Sequence, residues 1–169
     1  MSNIERRLRD LEDRTAINDL VVRYFLAVDS DDMNEVGRVF SENATFGISG
    51  EVVASGRQAI LDYLFAARKA MGLTVHTPDY VLQTRADSGT VKGVVGAHLE
   101  LVLGGKAVFG AVRYEDEYKQ DGGVWTIRRR DMRTIHIAPW DEVGPAFSSD
   151  RPVRWPGADP QPSDYPRIK

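Results

Sequence analysis

Apolar positions in the first half of the chain repeat with a helical period. Ile4, Leu8 and Leu11 are followed by Ile17, Leu20, Val21, Tyr24 and Phe25, which predicts an amphipathic helix over residues 4 to 28. Thr15 is a cap residue type, so a break is expected near Asp13 to Thr15. Asp31 or Asp32 is placed to cap a short second helix with Met33, Val36, Val39 and Phe40 on its apolar side. Alternation then replaces the helical period in ATFGISGEVVASG, a hairpin over residues 44 to 56 with Gly50 in its turn. Ser55 is the expected cap of a third helix, from about Arg57 to Met71, with Ile60, Leu61, Leu64 and Phe65 inward.

The second half reads as strands. VHTPDYVLQTRA, TVKGVVGAHLELVLGG, KAVFGAVRYEDEYKQDGG and VWTIRRRDMRTIHI are joined by turn signals at Gly104-Gly105 and Asp121-Gly122-Gly123. Helices first and an antiparallel meander afterwards predict an α+β domain. A long curved sheet folded around helices makes a cone with an apolar interior, a natural ligand site. The pattern ends at residue 137. Seven of the eight prolines lie beyond it, at 139, 145, 152, 156, 160, 162 and 166, and no regular element is expected there. Trp140, Phe147, Trp155 and Tyr165 are too apolar for a solvated linker. Residues 138–169 are therefore expected to be an ordered tail beyond the domain of residues 1–137, its aromatics buried, closing the mouth of the cone or crossing to a neighbouring subunit.

Composition narrows the function classes. The chain has 169 residues, 42% hydrophobic and 28% charged, as expected of one ordinary globular domain. It has no cysteine, which removes disulfides, zinc-thiolate sites and a cysteine nucleophile. A net charge of −3 gives no electrostatic reason to expect nucleic acid. No apolar run is long enough for a membrane span, and the charged start has no secretory apolar region. The expectation is a cytoplasmic protein. No His/Asp/Glu cluster has metal-ligand spacing, and neither GISG nor LGGK has the strand-to-helix context of a phosphate loop.

Three histidines remain to be placed: His76, His98 and His136. His76 sits in TVHTPDY, on a strand, where it is either a structural imidazole or a general base. Asp29 bears on the choice. It ends the first helix, where an acid faces the negative end of the helix dipole and needs another partner. Asp31 and Asp32 have an easier explanation as acids at the start of the next helix. If the first helix lines the cone, Asp29 can reach His76, fix the imidazole tautomer and stabilise the imidazolium.

The stretch LEDRTAINDLVVRYFLAVDSDDMNEVGRVFSENATF resembles the opening of the SnoaL-like branch of the nuclear transport factor 2-like superfamily. The matching positions are Asp13-Arg14, Ala16-Ile17, Leu20, Arg23-Tyr24, Ala27, Asp29 and Phe40. The likeness continues through GRQAILDYL, VHTPDY and YEDEYKQDGGVWTIRRRDMR, over about residues 5 to 137. It implies a cone-shaped α+β barrel. It also implies dehydratase-like chemistry without a cofactor, since the branch holds scytalone dehydratase, hexachlorocyclohexane dehydrochlorinase, bile acid 7α-dehydratase and polyketide cyclases. Asp29 and His76 fall where such enzymes carry their aspartate and histidine. Tyr24 falls where functional tyrosine or lysine stands, and Arg130 on a functional arginine. His98 lies in a strand comparable to one that bears a second histidine in scytalone dehydratase.

These residues set the expected site: Asp29, His76, Tyr24 and Arg130 as catalytic groups. Phe25, Phe46, Phe65 and Tyr80 (with Leu64) are expected to line the pocket, with His98 as a further candidate and Arg133 as the rival to Arg130 should a bulge shift the register. Arg129 should then oppose Arg130, and His136 should lie outside the chemistry. The expected activity is a lyase acting on a small apolar aromatic, terpenoid or steroid-like substrate, in a homo-oligomer (dimer or trimer). Water, halide or a small carbon fragment would be eliminated. A cyclase or isomerase would begin with the same proton abstraction. The non-enzymatic alternative is a binding or oligomerisation domain built on the same cone. A third reading is the small subunit of a ring-hydroxylating dioxygenase.

Overall fold

The computed structural model describes residues 2–85 and 90–166. Helix α1 (Asn3–Asp29) leads into α2 (Met33–Val39), the hairpin β1 (Phe40–Ile48) and β2 (Glu51–Ser55), and helix α3 (Arg57–Lys69). Four long strands follow: β3 (Met71–Arg85), β4 (Val91–Leu103), β5 (Lys106–Asp121) and β6 (Val124–Pro139). They form one curved, open sheet in the order β2-β1-β6-β5-β4-β3. Neighbours are antiparallel except β1 and β6, which run parallel. Helix α1 packs across β3 and β6, and α3 closes over β1. The cone that the helix-then-meander order predicts is the fold observed. The strand candidate ending at Ala86 runs past the described residues by that one position.

Helix α1 is unbroken where a cap at Thr15 was expected. The Thr15 hydroxyl bonds back to the Leu11 carbonyl inside the helix, a use open to Thr away from a cap. Asp13 accepts the indole N–H of Trp125 at 2.9 Å and pairs with Arg85 at 2.6 Å. Ser2 starts the helix with a reciprocal capping box to Glu5. Asp32 caps α2, accepting the Glu35 N–H. The N-cap of α3 is Gly56, not Ser55; its φ of 91° closes the turn from β2, and its N–H binds the Ala44 carbonyl.

Inward residues alternate along the central strands β4 and β5. On β4 they are Val91, Val95, Ala97, Leu99 and Leu101, and on β5 Val108, Val112, Tyr114, Asp116 and Tyr118. On β3 the alternation breaks. The register with β4 shifts between Pro78 and Tyr80, leaving Asp79 as an extra residue. Before it, Thr74 and His76 face the helices. After it, Gln83 and Arg85 do so, reaching Arg14, Asn18 and Asp13 on α1.

The tail departs from expectation in two ways. It holds a 3-10 turn (Trp140–Glu142) and a short helix α4 (Val143–Phe147). Pro145 fits because its missing N–H would find no acceptor in a first helical turn. Trp140 stays 67% exposed and Phe147 62%. They lie on the outer face of the sheet, Trp140 edge-on to Phe109 and Phe147 over His136. The chain then folds back along β6. Val153 is buried and bridges Ile137 and Gln161, and Trp155 packs against the core. Residues 167–169 of the tail lie outside the described residues.

Candidate active site

Between the helices and the concave face of the sheet lies a mostly apolar cavity of about 280 Å³. Its wall takes Tyr24 and Val28 from α1, Phe46 and Ile48 from β1, Tyr63, Leu64 and Arg68 from α3, and Thr74 and His76 from β3. Leu99 and Leu101 come from β4, Tyr114 from β5, Met132 from β6 and Trp155 from the tail. A larger depression of about 790 Å³ at Ser41, Glu42, Lys119 and Arg128 is open and polar. It lacks the convergent apolar wall of a small-molecule site.

Asp29 and His76 meet at this cavity. The carboxylate takes two hydrogen bonds from one residue: the ring Nδ1 at 2.6 Å on Oδ1, and the backbone N–H of His76 at 2.8 Å on Oδ2. A carboxylate only accepts, so in the neutral ring the proton sits on Nδ1 and the lone pair on Nε2. The imidazole stacks on Phe25 with centroids 5.0 Å apart and planes at 20°. The orientation of the imidazole is thereby set, and the end of α1 has the partner its acid required.

Arg130 stands one layer behind the wall. It is 0% exposed and binds Asp116 through Nε at 2.9 Å and Nη2 at 2.6 Å. Its guanidinium carbon lies 4.2 Å from the Tyr24 ring centroid and 4.8 Å from that of Tyr114, a cation–π arrangement on two faces. Tyr118 donates its hydroxyl to the same Asp116 at 2.8 Å. Burial alone would lower the Arg130 pKa, but the Asp116 carboxylate outweighs it and raises it. Burial pushes the Tyr24 phenol up against the opposing pull of Arg130. Tyr24 is on the wall and stays a neutral hydroxyl. As expected, Arg129 faces outward.

Phe46 lines the cavity, and Leu64 does too. Phe25 is instead a buried support beneath His76. Three further expected wall residues and Arg133 lie elsewhere. Tyr80 would be in phase with His76 on a regular strand; the extra Asp79 turns it outward, where it covers Gly96 and accepts from Arg113 at 2.9 Å. His98 falls on the outward phase of β4, pairs with Asp79 and stacks on Phe109. Phe65 is on the exposed flank of α3 beneath Lys69. Arg133 follows Arg130 by an odd number of positions and faces away, paired with Asp131 at 2.7 Å.

Arg68, Tyr63, Tyr114 and Met132 were not anticipated. Arg68 joins the wall while paired with Asp31 at 2.7 Å and donating to the Thr74 hydroxyl. The one available signal was Tyr114 sharing the inward phase of β5 with Val112. Among the described residues no group of three His, Cys, Asp or Glu could hold a metal ion, and no helix is long and apolar enough to cross a membrane.

An open curved sheet wrapped on helices, with a half-buried Asp–His pair at the wall of an apolar cavity, defines a cone-shaped α+β barrel of the nuclear transport factor 2-like kind. The SnoaL-like domain profile matches residues 9–131, and the chain belongs to that family. Solved structures agree. A hexachlorocyclohexane dehydrochlorinase, LinA type 2, superposes with a TM-score of 0.73 at 22% identity, covering 79% of this chain and 92% of its own. A protein of Novosphingobium aromaticivorans provisionally assigned as a scytalone dehydratase gives 0.71 at 16% identity, covering 89% and 97%. Another from that organism, provisionally an aromatic ring hydroxylase, gives 0.70 at 27% identity, covering 76% and 94%. The first two likenesses are of fold alone. No curated protein matches the chain.

Proposed function

We propose that the protein is a cofactor-independent lyase of the dehydratase type, acting on a small apolar ring compound. The observation that carries this reading is the two-point hold of Asp29 on His76 at the wall of the cavity. Nε2 removes a proton from a carbon next to an activating group, and Asp29 stabilises the imidazolium that results. Tyr24 donates to the substrate, and Arg130 acts through it. A leaving group on the adjacent carbon departs as water, halide or a small carbon fragment. A pure binding domain has no use for an oriented base. The cavity volume is near the low end for ligand pockets and suits a compact substrate.

The test is turnover of a panel of β-hydroxy ketones and chlorinated cyclohexanes by the wild type and by His76→Ala. Elimination by the wild type, none by the variant, and analogue binding changed only slightly are expected, because the base acts on the transition state. Equal turnover by the two proteins would sink the assignment of the base.

A further inference from the structure

Helix α1 begins clear of the body. Residues 2–12 are all exposed, and Asp13 is the first buried position described. Ile4, Leu8 and Leu11 share the helical period of the residues behind them, yet they stay 76%, 55% and 62% exposed. They lie on another stripe of the helix. The face turned to the core carries Asp13, Ile17, Leu20, Val21, Tyr24 and Val28. Ile4, Leu8 and Leu11 are spaced by four and then three residues, the d, a, d positions of a heptad seam. At the next two seam positions Thr15 bonds to the Leu11 carbonyl and Asn18 accepts from Gln83. The apolar part of the seam is therefore confined to the projecting turns, where this chain offers it no cover.

The flanking charges say what covers it. With Leu8 at a and Leu11 at d, the g positions are Arg7 and Arg14, and the e positions are Glu5, Glu12 and Asp19. One flank of the seam is basic and the other acidic. In a parallel, in-register pair each g residue faces the e residue five positions further along the other helix. Arg7 then meets Glu12 of a second copy, and Arg14 meets Asp19. Antiparallel copies would set g against g and e against e, which places cation on cation and acid on acid. Among the described residues none of Arg7, Glu12, Arg14 and Asp19 is in an ion pair within the chain. We infer that residues 4–15 of α1 form a parallel, in-register helix seam with a second copy of this chain. The helix is ready for it. Its far half is held by the core and its start by the Ser2–Glu5 capping box, so pairing pays no cost of helix nucleation. The seam lies at the opposite end of α1 from Asp29, and the inference does not depend on the role of His76.

The experiment is sedimentation equilibrium of the full chain, joined to cross-linking through single cysteines. The wild type should self-associate. Leu8→Lys sets a cation at the centre of the seam in both copies and should weaken association at least about 10-fold. Arg7→Glu places acid against acid on both flanks and should weaken it roughly 3- to 10-fold, less so at high salt. Adding Glu12→Arg to Arg7→Glu reverses the flanks together and should restore the wild-type constant, which damage to the helix alone would not do. The chain has no cysteine, so Leu11→Cys, on the seam, should give a disulfide-linked dimer under mild oxidation. Arg9→Cys, exposed but off the seam, should not. All of these positions are exposed, and circular dichroism should match the wild type throughout. Association unchanged by Leu8→Lys, no restoration by the reversed pair, or equal cross-linking through both cysteines would each overturn the inference. A monomeric wild type would overturn it too, and its binding to phosphatidylglycerol vesicles would assign the stripe to a membrane surface instead.

Discussion

Asp29 spends both carboxylate oxygens on His76, and this makes the pair sensitive to one atom. Asp29→Asn keeps the shape but removes the charge that stabilises the imidazolium. Its amide can also donate to Nδ1, which forces the proton onto Nε2 and blocks the base. Loss of an orienting charge of this kind is worth up to ~10⁴-fold in a catalytic triad, so a fall in kcat of at least about 100-fold is expected, with folding intact by circular dichroism. The Arg130–Asp116 pair is a different kind of residue-scale commitment. Both side chains are 0% exposed, so Asp116→Ala strands a buried cation and should cost about 3–5 kcal/mol in chemical denaturation. Asp31→Ala, which removes the exposed carboxylate of the Asp31–Arg68 pair, should cost less, since solvent screens that charge. Equal effects of the two substitutions would show that burial does not set the worth of these ion pairs.

At the scale of elements, the periods of the chain were legible and their phase was not. Helical spacing over residues 4 to 28 and the glycine turns at 104–105 and 122–123 place the cone's parts, because both signals are local. Asp29 and His76 were legible for a related reason: an acid at a helix end lacks a local partner, and the family likeness named the strand that supplies it. The bulge at Asp79 leaves no such mark. Every residue from Thr77 to Thr84 is compatible with either face of a strand, and only pairing with β4 decides. Tyr80 was misplaced for that reason. Tyr114, Arg68 and Met132 come from three separate elements and share no spacing, so no pattern could gather them. The bulge itself can be tested. Deleting Asp79 restores regular alternation on β3 and leaves Tyr80 outward and Gln83 and Arg85 toward α1, because each keeps its partner on β4. The Arg85–Asp13 pair at 2.6 Å is then kept. Amide exchange along α1 near Asp13 should stay as slow as in the wild type, and faster exchange there would mean that the pairing of β3 with β4 slips by one residue instead.

For the whole molecule, the tail joins the cavity to the outer face of the sheet. Trp155 completes the cavity wall, while Phe147 lies over His136 on the other face with centroids 4.3 Å apart. Burial, aided by the neighbouring His98, depresses the His136 pKa below its ordinary value. A histidine depressed in the folded state favours folding when neutral. Its contribution is fully present above the unfolded value of about 6.5 and is lost as pH falls through the lower folded value. Full-length protein should therefore lose stability in that window, beyond what its carboxylates remove at more acid pH. His136→Gln keeps a polar planar side chain that does not titrate and should flatten the curve there. Deleting residues 141–169 takes away Phe147, Val153 and Trp155 together. The truncated protein should melt lower at every pH, because Val153 and Trp155 pack against the core. It should also show less of the loss just below pH 6.5, since His136 would be hydrated and titrate nearer its ordinary value. Thermal unfolding of the three proteins across pH 4.5 to 8 separates these effects. A truncated protein with an unchanged melting temperature would make the tail a passive strand. One that melts lower but keeps the full acid loss would place the cause of that loss away from His136.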